Sequence, residues 1–172
     1  MAYIGIFGAL LQVLIFPVIP RPVPREVIVQ IVKPPVQLAA EFWQEKKLNV
    51  DTISGGHTRV IHTVAFSPNS QTIASGSGDK TIKVWSLNQK KLAYTLTGHS
   101  NWVNSVAFSP DGKMLASGSG DRTIKLWNPN KGELIRTLKD NLDGITSVAF
   151  SPNDRALGSG SRDKTIKIWI SK

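Results

Sequence analysis

The residues able to act chemically on another molecule are serines, aspartates and three histidines, His57, His62 and His99. Serine, histidine and aspartate together are the parts of an acyl-transfer relay, in which imidazole takes the serine proton and a carboxylate orients the imidazole. The stretch SGSGDKTIKVW, residues 75–85, comes nearest to supplying such a set, with His57 before it. The chain has neither the nucleophile elbow nor the oxyanion loop that would expose and assist a reactive serine. The glycine-rich SGSGD invites comparison with a phosphate cradle, but the spaced lysine and following helix of such loops are missing. With no cysteine there is no disulfide, thiolate metal site or cysteine nucleophile, which fits a reducing compartment. Three histidines so regularly placed make no metal cluster, so neither metal nor cofactor is expected.

The elements that must position these residues are repeated. SGSGDKTIKVW returns as SGSGDRTIKLW at 117–127 and as SGSRDKTIKIW at 159–169. A period of 42 links His57 to His99, Phe66 to Phe108 and Phe150, Asp79 to Asp121 and Asp163, and Trp85 to Trp127 and Trp169. A constant period of that length is the mark of a stacked repeat architecture. Each unit reads as β. VIHTVAFS (60–67) and WVNSVAFS (102–109) carry small or apolar residues on both faces, as in a strand covered on both sides. Proline-led turns follow, then TIASGS or MLASGS as a second strand and a tight reversal at GDK or GDR. TIKVW or TIKLW forms a third strand, and KLAYTL or LIRTL pairs as a fourth at the edge. No stretch within 51–172 combines helical periodicity with capping.

Gly56-His57 and Gly98-His99, the latter followed by SVAFSPDGKMLASGSGDRTIKLW, resemble the WD-repeat family of β-propellers over about residues 48–170. The resemblance implies an all-β fold of three four-stranded blades, in repeats at about 56–97, 98–139 and 140–172, with 48–53 as a spare outer strand. It also implies a buried polar network in each blade: His57, Ser75, Asp79 and Trp85; His99, Ser117, Asp121 and Trp127; and, in the third, Ser159, Asp163 and Trp169. A neutral imidazole can bridge a serine hydroxyl and a carboxylate while the indole N–H donates to the serine. A set that recurs in this way with tryptophan capping the serine is structural, and no enzyme activity is expected. The third repeat departs from the pattern, since Asp140-Asn141 replace Gly-His and Gly158 replaces Ala74 and Ala116. Its network is expected to be the weakest.

The first fifty residues show no repeat. Ala2–Ile19 contains no charged side chain, and as a helix it would span roughly 27 Å, near the ~30 Å of a bilayer core. Arg21, Arg25 and Lys33 follow the run, so residues 1–20 are expected to anchor the chain with its repeats facing the cytoplasm; the alternative is a cytoplasmic protein without an anchor. Residues 21–47 read as a proline-rich linker followed by a short helix over 36–48. The formal charge of +9 favours anionic partners, or else serves solubility.

Three blades do not close a ring, because propellers use roughly 4–8. Two copies can combine as a six-bladed homodimer, each donating residues 48–53 to the other's last blade; the alternative is a fragment of a larger WD-repeat protein. The function the family implies is a non-enzymatic scaffold for protein or peptide partners, with no small-molecule substrate. Its docking face falls on Val60, His62 and Gly78; Trp102, Asn104 and Gly120; and Gly144, Thr146 and Arg162. The competing reading is an anionic membrane surface or nucleic acid on rows formed by Lys80, Arg122 and Lys164 and by Lys83, Lys125 and Lys167.

Overall fold

The computed structural model describes residues 3–6, 9–12, 50–54, 56–139 and 141–170. The chain divides into two units, Met1–Thr52 and Ile53–Lys172.

In the first unit, β1 (Tyr3–Ile6) and β2 (Ala9–Gln12) pair antiparallel, with Tyr3 opposite Gln12 and Ile6 opposite Ala9. This corrects the expected helix over Ala2–Ile19 at these residues. The length and apolarity of the run suit either structure, but Tyr3, Ile4 and Ile6 are strand formers and Gly5 weakens a helix. No helix among the described residues is long and apolar enough to cross a membrane, so the expected transmembrane helix is not supported; strands that cross as a barrel are a separate matter. The proline-rich linker and the whole of the expected helix over 36–48 lie outside the described residues.

The second unit is built of three antiparallel sheets. The first holds β3 (Ile61–Phe66), β4 (Thr72–Ser77), β5 (Ile82–Ser86) and β6 (Lys91–Leu96) in sequential order. The second repeats it with β7 (Val103–Phe108), β8 (Leu115–Ser119), β9 (Ile124–Asn128) and β10 (Glu133–Leu138). The third has three strands among the described residues, β11 (Ile145–Phe150), β12 (Ala156–Ser161) and β13 (Ile166–Ile170), one fewer than the four expected of each blade. These are the blades, and the fold class is all-β propeller repeats.

The core lies between blades. Ala74, Ile82 and Val84 of the first blade meet Val103, Val106, Leu115 and Trp127 of the second. One period on, Ala116 and Ile124 meet Ile145, Val148 and Leu157 of the third. Close approach depends on glycine at one repeat position. A Cβ on Gly76 would come within 2.7 Å of Val103 Cγ1, and one on Gly118 within 2.5 Å of Ile145 Cγ2. Side-chain hydroxyls also tie successive blades, Thr63 accepting from Val106 N–H at 3.3 Å and Ser105 from Val148 N–H at 3.1 Å.

The first strand of every blade is bulged at one residue. Register skips between Ile61 and Thr63, between Val103 and Ser105, and between Ile145 and Ser147. The extra residues are His62, Asn104 and Thr146. A bulge leaves its residue out of the ladder and re-aims the side chain.

Candidate protein-interaction face

In the first blade the aspartate can only accept, so His57 Nδ1–H donates to Asp79 Oδ2 at 2.8 Å and Nε2 accepts from Ser75 Oγ at 2.8 Å. Trp85 Nε1–H donates to the same Ser75 oxygen at 3.0 Å. The second blade repeats this with His99, Asp121, Ser117 and Trp127, all at 2.8 Å. Serine, imidazole and carboxylate thus stand in the order of a catalytic relay, yet the seryl oxygens are buried and pinned from a second side by indole. A substrate carbonyl has no approach to them.

A threonine completes each network and had escaped the sequence reading. Thr81, Thr123 and Thr165 donate to Asp79, Asp121 and Asp163 at 2.6, 2.7 and 2.6 Å. Its signal was available, since the residue is identical in all three copies. Burial opposes ionisation of Asp79 and Asp121, but bonds from Thr81 and His57 at the first and from His99 and Thr123 at the second outweigh it. Both carboxyls are held well below the usual carboxylate range.

The third blade keeps only part of the arrangement. Trp169 Nε1–H reaches Ser159 at 3.0 Å and Thr165 still bonds Asp163 Oδ1. Asn141 is buried where His57 and His99 stand, and neither of its amide atoms is hydrogen-bonded among the described residues. Its side chain is too short to bridge hydroxyl and carboxylate, so Asp163 Oδ2 is left buried without the imidazole donor.

Seven of the nine predicted docking residues line two recesses along one rim, each straddling a pair of blades. A recess of about 340 Å³ is lined by Arg59, Val60, His62 and Gly78 from the first blade and Trp102 from the second. Another of about 220 Å³ is lined by Asn101, Trp102, Asn104 and Gly120 from the second blade and Arg162 from the third. Trp102 is 45% exposed, and its ring stacks on that of His62 with centroids 5.5 Å apart. Asn101 fixes the approach to Trp102 by accepting its backbone N–H at 2.8 Å. Two predicted residues serve the frame instead. Asn104 donates its amide to Ile145 O at 2.8 Å, bridging blades, and exposed Thr146 bonds Gly160 O at 3.1 Å outside both recesses. Gly144 is buried, with Gly120 Cα within 3.1 Å of where its Cβ would stand.

The two cationic rows differ. Lys80, Arg122 and Lys164 are exposed on the β4–β5, β8–β9 and β12–β13 turns, each with a left-handed backbone near φ +70. Lys83 and Lys125 instead bond Thr95 and Thr137 of the outer strands at 3.0 Å.

The profile of the family "WD domain, G-beta repeat" matches residues 49–86, 90–128 and 132–169, most of the chain. The chain belongs to the WD-repeat family. It is similar to two solved WD-repeat structures, "Structure of U3-55K" and "Crystal structure of RRP9 WD40 repeats", each with a TM-score of 0.66 and 29% identity, covering 67% of this chain and 37% of the other. Among curated relatives, the small ribosomal subunit protein RACK1 of Neurospora crassa is 43% identical over 56 residues, 33% of this chain and 18% of that protein. The ribosome biogenesis protein YTM1 of Scheffersomyces stipitis is 46% identical over 43 residues, 24% of this chain and 9% of its own. The chain therefore spans well under half of the WD-repeat proteins it matches.

Within this WD-repeat chain the rim is one of the places where the copies differ, as are the turns at Ser70, Gly112 and Asp154. The network positions for serine, aspartate, threonine and tryptophan do not change. At the same spacing the rim reads Arg59, Asn101, Asp143; Val60, Trp102, Gly144; His62, Asn104, Thr146; and Gly78, Gly120, Arg162. A constant frame carries different side chains at most of these positions, with Gly78 and Gly120 alike.

Proposed function

We propose that this chain is a non-enzymatic scaffold that binds a protein or peptide segment along the rim centred on Trp102. The observation that carries the proposal is the pair of recesses that straddle successive blades, both lined by half-exposed Trp102 and flanked by Arg59 and Arg162. Stability requires the constant positions; it does not require Arg59, Trp102 or Arg162 to differ from their counterparts. Tryptophan and arginine are also the side chains that dominate contact energies. The names of two relatives point the same way, since a small ribosomal subunit protein is part of an assembly and a ribosome biogenesis protein serves the making of one.

The test is selection of peptides from a displayed library on the full chain, followed by titration of the best binders. Trp102→Ala is expected to weaken them at least tenfold and Arg162→Ala about threefold, with unfolding unchanged. Binders indifferent to both substitutions would remove the rim as the docking face.

The exposed row of Lys80, Arg122 and Lys164 favours a second reading, an anionic surface such as acidic lipid or nucleic acid. That binding would fall steeply with salt, whereas rim docking of an apolar side chain beside Trp102 would not. A second copy of the chain is a further protein partner, engaged through the open blade faces rather than the rim.

A further inference from the structure

The described blades present two apolar faces of matching kind. At repeat positions where Ile82 and Ile124 are fully buried, Ile166 is 81% exposed, and Ile168 and Ile170 beside it are 68% and 69% exposed. At the other end Val64 is 59% exposed, where Val106 is 6% and Val148 7%; Ile61 and Phe66 are exposed with it. At Ile166 and Ile168 the trailing face of the third blade thus carries the counterparts of residues that the first two blades press onto their successor, Ile82 and Val84 and Ile124 and Leu126, and Ile170 extends that apolar face. The leading face of the first blade carries the residues that the second and third offer to their predecessor. Each end is the natural complement of the other end of an identical molecule.

The outer edge of β13 repeats the logic at the backbone. β5 and β9 are covered by β6 and β10, and those strands come from the linker entering the next blade. Residues 49–54 stand 42 and 84 positions before β6 and β10, and the six residues 55–60 that follow match the six, 97–102, between β6 and β7. The described part, 50–54, is exposed and lies in no strand.

We infer that two copies join head to tail, Ile166, Ile168 and Ile170 of each packing on Ile61, Val64 and Phe66 of the other, with residues 50–54 pairing along the partner's β13. The product is a six-bladed ring with a twofold axis, within the range that propellers adopt, and it removes both open faces together. This deepens the self-partner part of the proposed function and does not depend on the rim.

Light scattering on the full chain at micromolar concentration tests it. The expected mass is twice the 18.8 kDa of one chain. Ile168→Lys and Val64→Lys are each expected to yield folded monomers, because both side chains face solvent within one chain. Mixing the two variants should restore a weaker one-to-one pair, since each retains one competent face. The double variant Val50→Pro, Thr52→Pro should leave β circular dichroism unchanged and weaken the dimer at least tenfold. Trp102→Ala should dimerise normally, which separates failure of the rim from failure of the ring. A wild-type monomer, open-ended polymers, or a dimer indifferent to Val64→Lys would overturn the ring. A dimer indifferent to the proline pair would overturn the strand exchange.

Discussion

The second and third blades are nearly the same peptide in two different surroundings. SGSGDRTIKLW and SGSRDKTIKIW differ little, yet Ile124 is sealed between sheets and Ile166 faces solvent. His99 bridges Ser117 and Asp121, while Asn141 at the same place bridges nothing among the described residues. A repeat therefore does not carry its own stability. Part comes from a neighbour that covers its face, and part from one imidazole that closes its polar network.

The contrast is broken most sharply at the isoleucines. Ile124→Ala should cost about 2–5 kcal/mol in chemical denaturation, the range for emptying a packed core site. Ile166→Ala in the dilute chain should cost under about 0.5 kcal/mol, as for exposed positions generally. Equal losses at the two sites would mean that the third blade is covered within one chain.

The histidine comes next. His99→Ala should destabilise by about 3 kcal/mol, because it leaves a buried hydroxyl and a buried carboxylate without their partner. Asn141→Ala should cost well under half as much, since that amide satisfies neither. In the opposite sense, Asn141→His should add about 1 kcal/mol, the net worth of one or two new hydrogen bonds, read as slower amide exchange in β12 and β13. No gain there would show that the main chain around 141 cannot seat an imidazole.

The smallest effect is in acid. Asp79 and Asp121 are held below the usual range when folded, while the unfolded chain takes up protons near pH ~3.9. The stability they contribute is complete above about pH 5 and declines as pH falls below about 4. Asp121→Asn should flatten that decline more than Asp163→Asn, because Asp163 has no imidazole to lose. A slope unchanged in both variants would assign the acid sensitivity elsewhere.

The strands, the turns, two complete networks and the gap in the third were legible because a period of 42 lets each copy check the others. Thr81, Thr123 and Thr165 were equally legible and were read only as the first residues of the third strand. The bulges were not, because a register skip at His62, Asn104 and Thr146 follows from backbone twist and leaves no mark in residue type. Arg59 and Asn101 were hidden for the opposite reason, since a position whose residue changes in every copy looks like noise until the fold lines its members up on one rim. At Tyr3–Gln12, apolarity and length suggested a spanning helix, although neither property separates a helix from a strand pair.

Amide hydrogen exchange resolved by blade tests the account most directly. In the dilute full chain, the second blade, covered on both faces and holding a complete network, should exchange slowest. The first and third should exchange faster and approach it only as concentration rises. Equal protection of all three blades at the lowest concentration would contradict the claim that a blade's stability is lent by its neighbours.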